Sequence, residues 1–130
     1  MNTTVIKIKL SHSRLQLLPD VMLNFLDFEL IVSESVQNSH KKISEDKQIT
    51  ASIAAELVRH FNKQLEKRSP AETHSFKLEV HHAIIFQRAL LYNITETKDD
   101  FKRNAYEIIK NELNQKVVSI SSVRNWGNDA

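Results

Sequence analysis

Residues Thr4 to Leu10 alternate strictly, with Thr4, Ile6, Ile8 and Leu10 on one side and Val5, Lys7 and Lys9 on the other. Period-two alternation with β-branched residues predicts a half-buried strand. The period changes at Ser11, the expected N-cap of a helical stretch. From there Leu15, Leu18, Met22, Phe25, Leu26 and Leu30 recur at three- and four-residue steps and share one helical face. Pro19 interrupts that face, because it removes a backbone donor and clashes with the preceding turn. A kink is expected there, or two helices, one short and one running from about Asp20 to His40. The polar stretch from Ser39 to Gln48 reads as a loop.

Three further helices are predicted downstream. Thr50 or Ser52 caps the first, whose apolar face is Ile53, Ala54, Leu57, Val58, Phe61 and Leu65. The second is announced by Ser69-Pro70-Ala71-Glu72, with serine at N-cap, proline at the first helical position and glutamate at N3. It carries Phe76, Val80, Ala83, Ile84, Leu90 and Leu91 and is expected to reach about Asn93, roughly 35 Å at ~1.5 Å per residue. Thr97 caps the third, with Asp99 and Asp100 in its positive first turn and Phe101, Ala105, Ile108, Ile109 and Leu113 facing the core. At the end, Val117 to Val123 mixes β-branched residues with serines, which favours a strand over continued helix. An N-terminal strand needs a partner for its backbone groups, and this segment is the candidate. The predicted fold is therefore mainly α, a four-helix bundle-like domain with a minor two-stranded β element formed by the N- and C-terminal segments. Residues 1–123 form that single helical domain and residues 124–130 a C-terminal tail, whose Trp126 is expected to pack back on the bundle. No internal repeat is evident.

Composition narrows the functional classes. The sole glycine is Gly127, so a P-loop, a G-x-G-x-x-G dinucleotide turn and a G-x-S-x-G nucleophile elbow are all excluded. A 41% hydrophobic and 26% charged chain of 130 residues can bury a core and is globular rather than disordered. Without cysteine there is no disulfide, thiolate nucleophile or cysteine-bound metal, in keeping with a reducing, cytoplasmic location. No basic-then-apolar opening suggests a signal peptide, and apolar clusters such as Ala83-Ile84-Ile85-Phe86 are too short to span a bilayer. The sequons at Asn2 and Asn93 are then chance matches.

Candidate chemistry is sparse. His74 and His81 stand two helical turns apart on the predicted long helix, too far to chelate one ion, and His81 and His82 diverge around its axis. Glu79 and His82 form a Glu-x-x-His half-motif whose required second copy is missing, so no metal or other cofactor is expected and these two residues are only weak metal candidates. They read as a surface pair at i, i+3. Glu56 and His60, at i, i+4, read the same way. Arg59, Lys63 and Lys67 lie four apart with Arg68 beside them, a stripe that could follow phosphates but reads first as a solvated helix face. A net charge of +2 gives no global basic field.

Three functional readings follow. The leading one is a non-catalytic interaction or assembly module that associates with itself or a protein partner, without a membrane. It is expected to be a homodimer with the N-terminal strand at or near its interface, since open strand edges recruit partners. The second is a nucleic-acid-binding accessory protein acting through Arg59, Lys63, Lys67 and Arg68. The third is a metal-dependent helical-bundle enzyme.

Overall fold

The computed structural model describes residues 5–40, 45–67 and 73–129, with side chains placed for 5–29, 46–67 and 73–118. The protein is mainly helical. Its elements are β1 (Val5–Ser11), α1 (His12–Leu15), α2 (Leu18–His40), α3 (Glu45–Leu65), β2 (Thr73–Glu79), α4 (Val80–Glu96) and α5 (Asp100–Asp129). Among the described residues, no helix is long and apolar enough to cross a membrane.

The expected N-terminal strand is present, but its partner is not the C-terminal segment. β1 pairs antiparallel with β2, in a register that sets Ile6 opposite Leu78, Ile8 opposite Phe76 and Leu10 opposite His74. Residues 73–79 are thus strand and not the opening of a long helix. The period-two signal was there: His74, Phe76 and Leu78 are buried, while Thr73, Ser75, Lys77 and Glu79 are exposed. The spacing of Phe76, Val80 and Ala83 imitates a helical face, and a histidine at the first inward position obscures the alternation. The proposed capping box at Ser69–Glu72 lies outside the described residues. Residues 117–123, expected as strand, instead continue α5, which reaches Asp129 without a break before the expected tail. The side chain of Trp126 is outside the described set.

Helix ends show how local chemistry fixes the chain's path. Ser11 caps α1, its Oγ accepting from the Arg14 amide at 3.3 Å. Pro19 does separate two helices, α1 and α2, and sits in the first turn of α2, where a missing amide costs little. α3 begins at Glu45, earlier than expected, so Thr50 is no cap; its hydroxyl donates to the Asp46 carbonyl at 2.9 Å. Thr97 closes α4 instead of opening α5. Asp99 takes the opening role, its Oδ1 accepting from the Phe101 and Lys102 amides at 3.0 and 3.2 Å.

The inner face of the β1–β2 ribbon, with Ile6, Ile8, Leu10, Phe76 and Leu78, packs into one core with Leu15, Leu18, Met22, Phe25, Leu57, Phe61, Phe86, Leu90, Ile109 and Leu113. Edge-to-face and tilted ring contacts link Phe61 to Phe76 at 5.5 Å and to Phe86 at 5.1 Å. Two expected core residues of α5 turn outward: Phe101 is 76% exposed and Ile108 40%, and Tyr106 takes their place inside. Asn93 is buried, its amide donating to the Val21 and Ala89 carbonyls and accepting from Asn24, which leaves that sequon without an accessible acceptor. Each strand runs directly into helices, so the order strand–helices–strand–helices gives the fold two halves, joined by the ribbon and by α4 packing on α2 and α3.

Candidate functional site

A two-stranded ribbon has one face for the core and one for solvent. Here the outer face carries Val5 opposite Glu79, Lys7 opposite Lys77, Lys9 opposite Ser75 and Ser11 opposite Thr73. Lys7, Lys9 and Lys77 are exposed, and none has an ion-pair partner among the described residues. Like charges directly opposite each other destabilise an antiparallel pair, so the Lys7–Lys77 juxtaposition works against the fold. The outer face has no aromatic side chain. At seven residues per strand the ribbon is roughly 23 Å long, from a rise of ~3.3 Å per residue. On one side α5 braces it, with the Lys116 ammonium donating to the Lys7 carbonyl.

Beside β2 the outer face drops into a cleft of about 470 Å³ between α3, β2 and the first turn of α4. Arg59 and Lys63 from α3 and Lys77 from β2 line it, together with Glu56, His60 and His82, above Leu57 and Leu78. The sequence stripe is therefore divided. Arg59 and Lys63 are brought to the cleft, whereas α3 ends at Leu65 and Lys67 lies in the turn beyond it, its amide bonded to the Gln64 carbonyl at 3.2 Å. Arg68 is outside the described residues. Burial, followed by the charges of His82, Lys67 and Lys63, lowers the His60 pKa from its ordinary 6.5. With Arg59, Lys63 and Lys77 on its lining and Glu56 the sole carboxylate there, the cleft carries net positive charge.

The acid–histidine pairs are rearranged relative to the sequence reading. Glu56 reaches across to His82, at 3.3 Å from Nε2, instead of pairing with His60. Glu79 is the last residue of β2, not a helical partner of His82, and approaches His81 Nδ1 at 3.6 Å. The rings of His81 and His82 lie 4.2 Å apart, closer than neighbours on a regular helix suggest. Glu79, His81 and His82 offer donor atoms within 4.8 Å of one another, but Glu79 and His81 are exposed and Lys77 stands close by in sequence and in the adjoining cleft.

Sequence reading found Arg59 and Lys63 and missed Lys7, Lys9 and Lys77. Lys7 and Lys9 were visible as the outward half of an alternating strand; Lys77 belonged to a strand that was read as helix. No known family model, curated protein or solved structure matches this chain.

Proposed function

We propose that this protein binds double-stranded DNA by laying the outer face of the β1–β2 ribbon in the major groove. The observation that carries this reading is the outer ribbon face itself: Lys7, Lys9 and Lys77 stand exposed among Ser11, Thr73 and Ser75, with Val5 and the single carboxylate Glu79 at one end, on a ribbon whose other face is sealed in the core. The B-DNA major groove, about 12 Å wide, accepts a two-stranded ribbon, and lysine and serine or threonine donors match its base edges. Lacking aromatic side chains, the face offers no platform for unstacked bases, which argues against single strands. Arg59 and Lys63 line the cleft next to Lys77, and this supports a role for them in following the adjoining backbone.

The test is fluorescence anisotropy with a mixed-sequence duplex across a salt series. Replacing Lys7, Lys9 and Lys77 together with glutamine should weaken binding by at least about tenfold and flatten the salt dependence. Undiminished binding by this variant, or equal affinity for the separated strands, removes the reading.

Self-association is a second reading, supported by one observation. Phe101 and Ile108 are exposed and border, with Leu17 and Arg14, a hollow of about 400 Å³. Symmetric dimers commonly bury such apolar groups. Light scattering at micromolar concentration should then give twice the 15.1 kDa chain mass, and Phe101→Glu should halve it. A wild-type monomer excludes this reading and leaves the DNA reading standing.

A further inference from the structure

We propose that the cleft between α3 and β2 binds a phosphate-bearing small molecule of nucleotide size, held by Arg59, Lys63 and Lys77 over Leu57 and Leu78. This inference does not require the protein to bind DNA. It starts from an imbalance. Six of the eight lining residues are polar or ionisable, three of them permanent cations, and the lone carboxylate, Glu56, is engaged by His82. Arg59, Lys63 and Lys77 have no ion-pair partner among the described residues, so a single carboxylate stands against three like charges. The His60 pKa is lowered first by burial and then by the charges of His82, Lys67 and Lys63, and the charge part of that shift agrees with the cation-rich lining. A phosphoryl group is the chemistry that suits it, because guanidinium forks and ammonium groups bind its oxygens with charge-assisted hydrogen bonds.

Size and floor select the rest of the ligand. The cleft volume of about 470 Å³ lies within the range of roughly 300–1,000 Å³ typical of small-molecule sites and is far more than orthophosphate needs. Leu57 and Leu78 give it an apolar base, and Glu56 and His60 on the lining can hydrogen-bond to a base or a sugar. The cation Lys77 belongs to both surfaces: its position on β2 is on the outer ribbon face and its side chain lines the cleft. If the DNA reading holds, a bound phosphoryl group will draw on a cation that the duplex also needs, so the two ligands compete.

The test uses the full chain without DNA, titrated by calorimetry with ADP, pyrophosphate and orthophosphate, while the His60 imidazole is followed by NMR. ADP should bind at one site, and the His60 pKa should rise on binding because the bound anion offsets the neighbouring positive charge. Arg59→Gln with Lys63→Gln should weaken ADP at least about tenfold, as expected for the loss of charge-assisted bonds. Lys9→Gln, on the ribbon but outside the cleft, should leave ADP affinity unchanged. Binding that is indifferent to Arg59 and Lys63, or a His60 resonance that does not respond, overturns the proposal. A duplex arm separates sources of the same chemistry. If duplex affinity falls in the Arg59/Lys63 variant while ADP and pyrophosphate never bind, the cleft serves backbone phosphates and the small-molecule site is refuted. Should ADP bind and duplex not, the DNA reading alone is lost.

Discussion

The two faces of the β1–β2 ribbon share one backbone and one register, yet they answer to different demands. Inward, Ile6, Ile8, Leu10, Phe76 and Leu78 are 3% exposed or less. Outward, the same strands set lysine against lysine at Lys7 and Lys77. Burial of apolar surface at roughly 25 cal/mol per Å² stabilises the first face, whereas the lysines of the second have no ion-pair partner among the described residues. The ribbon's shape is maintained from below, which leaves its upper surface open to selection for a ligand.

Removing the largest inner side chain puts this to its severest trial. Phe76→Ala takes away a ring packed on Phe61 and His60, and should cost about 3–5 kcal/mol in urea unfolding. A loss below about 1 kcal/mol would mean that the inner face is not what holds the ribbon. Next comes the polar exception on that face. His74 is buried opposite Leu10 and meets His12 Nδ1 through its Nε2 at 3.1 Å, one ring donating and the other accepting. His12→Ala strands a buried polar atom and should cost about 1–3 kcal/mol. An unchanged unfolding midpoint would show that His74 finds another partner.

A smaller effect belongs to His60, which touches Phe76 on the inner side at 5.2 Å and lines the cleft on the outer. Burial, then His82, Lys67 and Lys63, lower its pKa from 6.5, in a cleft that also holds Glu56, Arg59 and Lys77. The folded protein therefore takes up that proton less readily than the unfolded chain. Stability from this source is full above pH 6.5 and is lost as the pH falls through 6.5 toward the lowered folded value. His60→Gln should flatten that segment of the stability–pH curve; an unaltered slope would assign the slope to other groups. Least of all, replacing Lys7, Lys9 and Lys77 with glutamine should change unfolding stability by about 0.5 kcal/mol or less, the range of ordinary surface substitutions. A large destabilisation would make these lysines structural and end the contrast between the faces.

Much of the inner architecture was legible from the chain. The alternation over Val5–Leu10, the helix break just before Pro19 and the stripe Ile53, Ala54, Leu57 and Phe61 are local patterns, and each is present; Thr4 lies outside the described residues. What failed was the identity of β1's partner. Residues 73–79 alternate, but a helix-like spacing from Phe76 to Ala83 runs across the strand–helix junction, and only pairing with β1 decides between the two periods. The serines and β-branched residues of 117–123 were weak evidence for a strand, and tertiary context overrode them in favour of helix. The site was half legible for the same reason. Arg59 and Lys63 lie one helical turn apart on α3, whereas Lys77 and His82 join them through a long-range pairing that no sequence spacing encodes.

That pairing also sets an order of events as the chain is made. Ser11 pairs with Thr73 and Val5 with Glu79, so the first strand waits for the second through the whole synthesis of α1, α2 and α3. At about 5–20 residues per second the wait lasts roughly 3–15 s, long compared with the formation of any helix. Throughout it, Ile6, Ile8 and Leu10 have no strand beside them, and neighbouring nascent copies carry the same unsatisfied backbone. Lys7 and Lys9, alternating between those apolar residues, are well placed as gatekeepers, since two such strands paired with each other would crowd ammonium groups together.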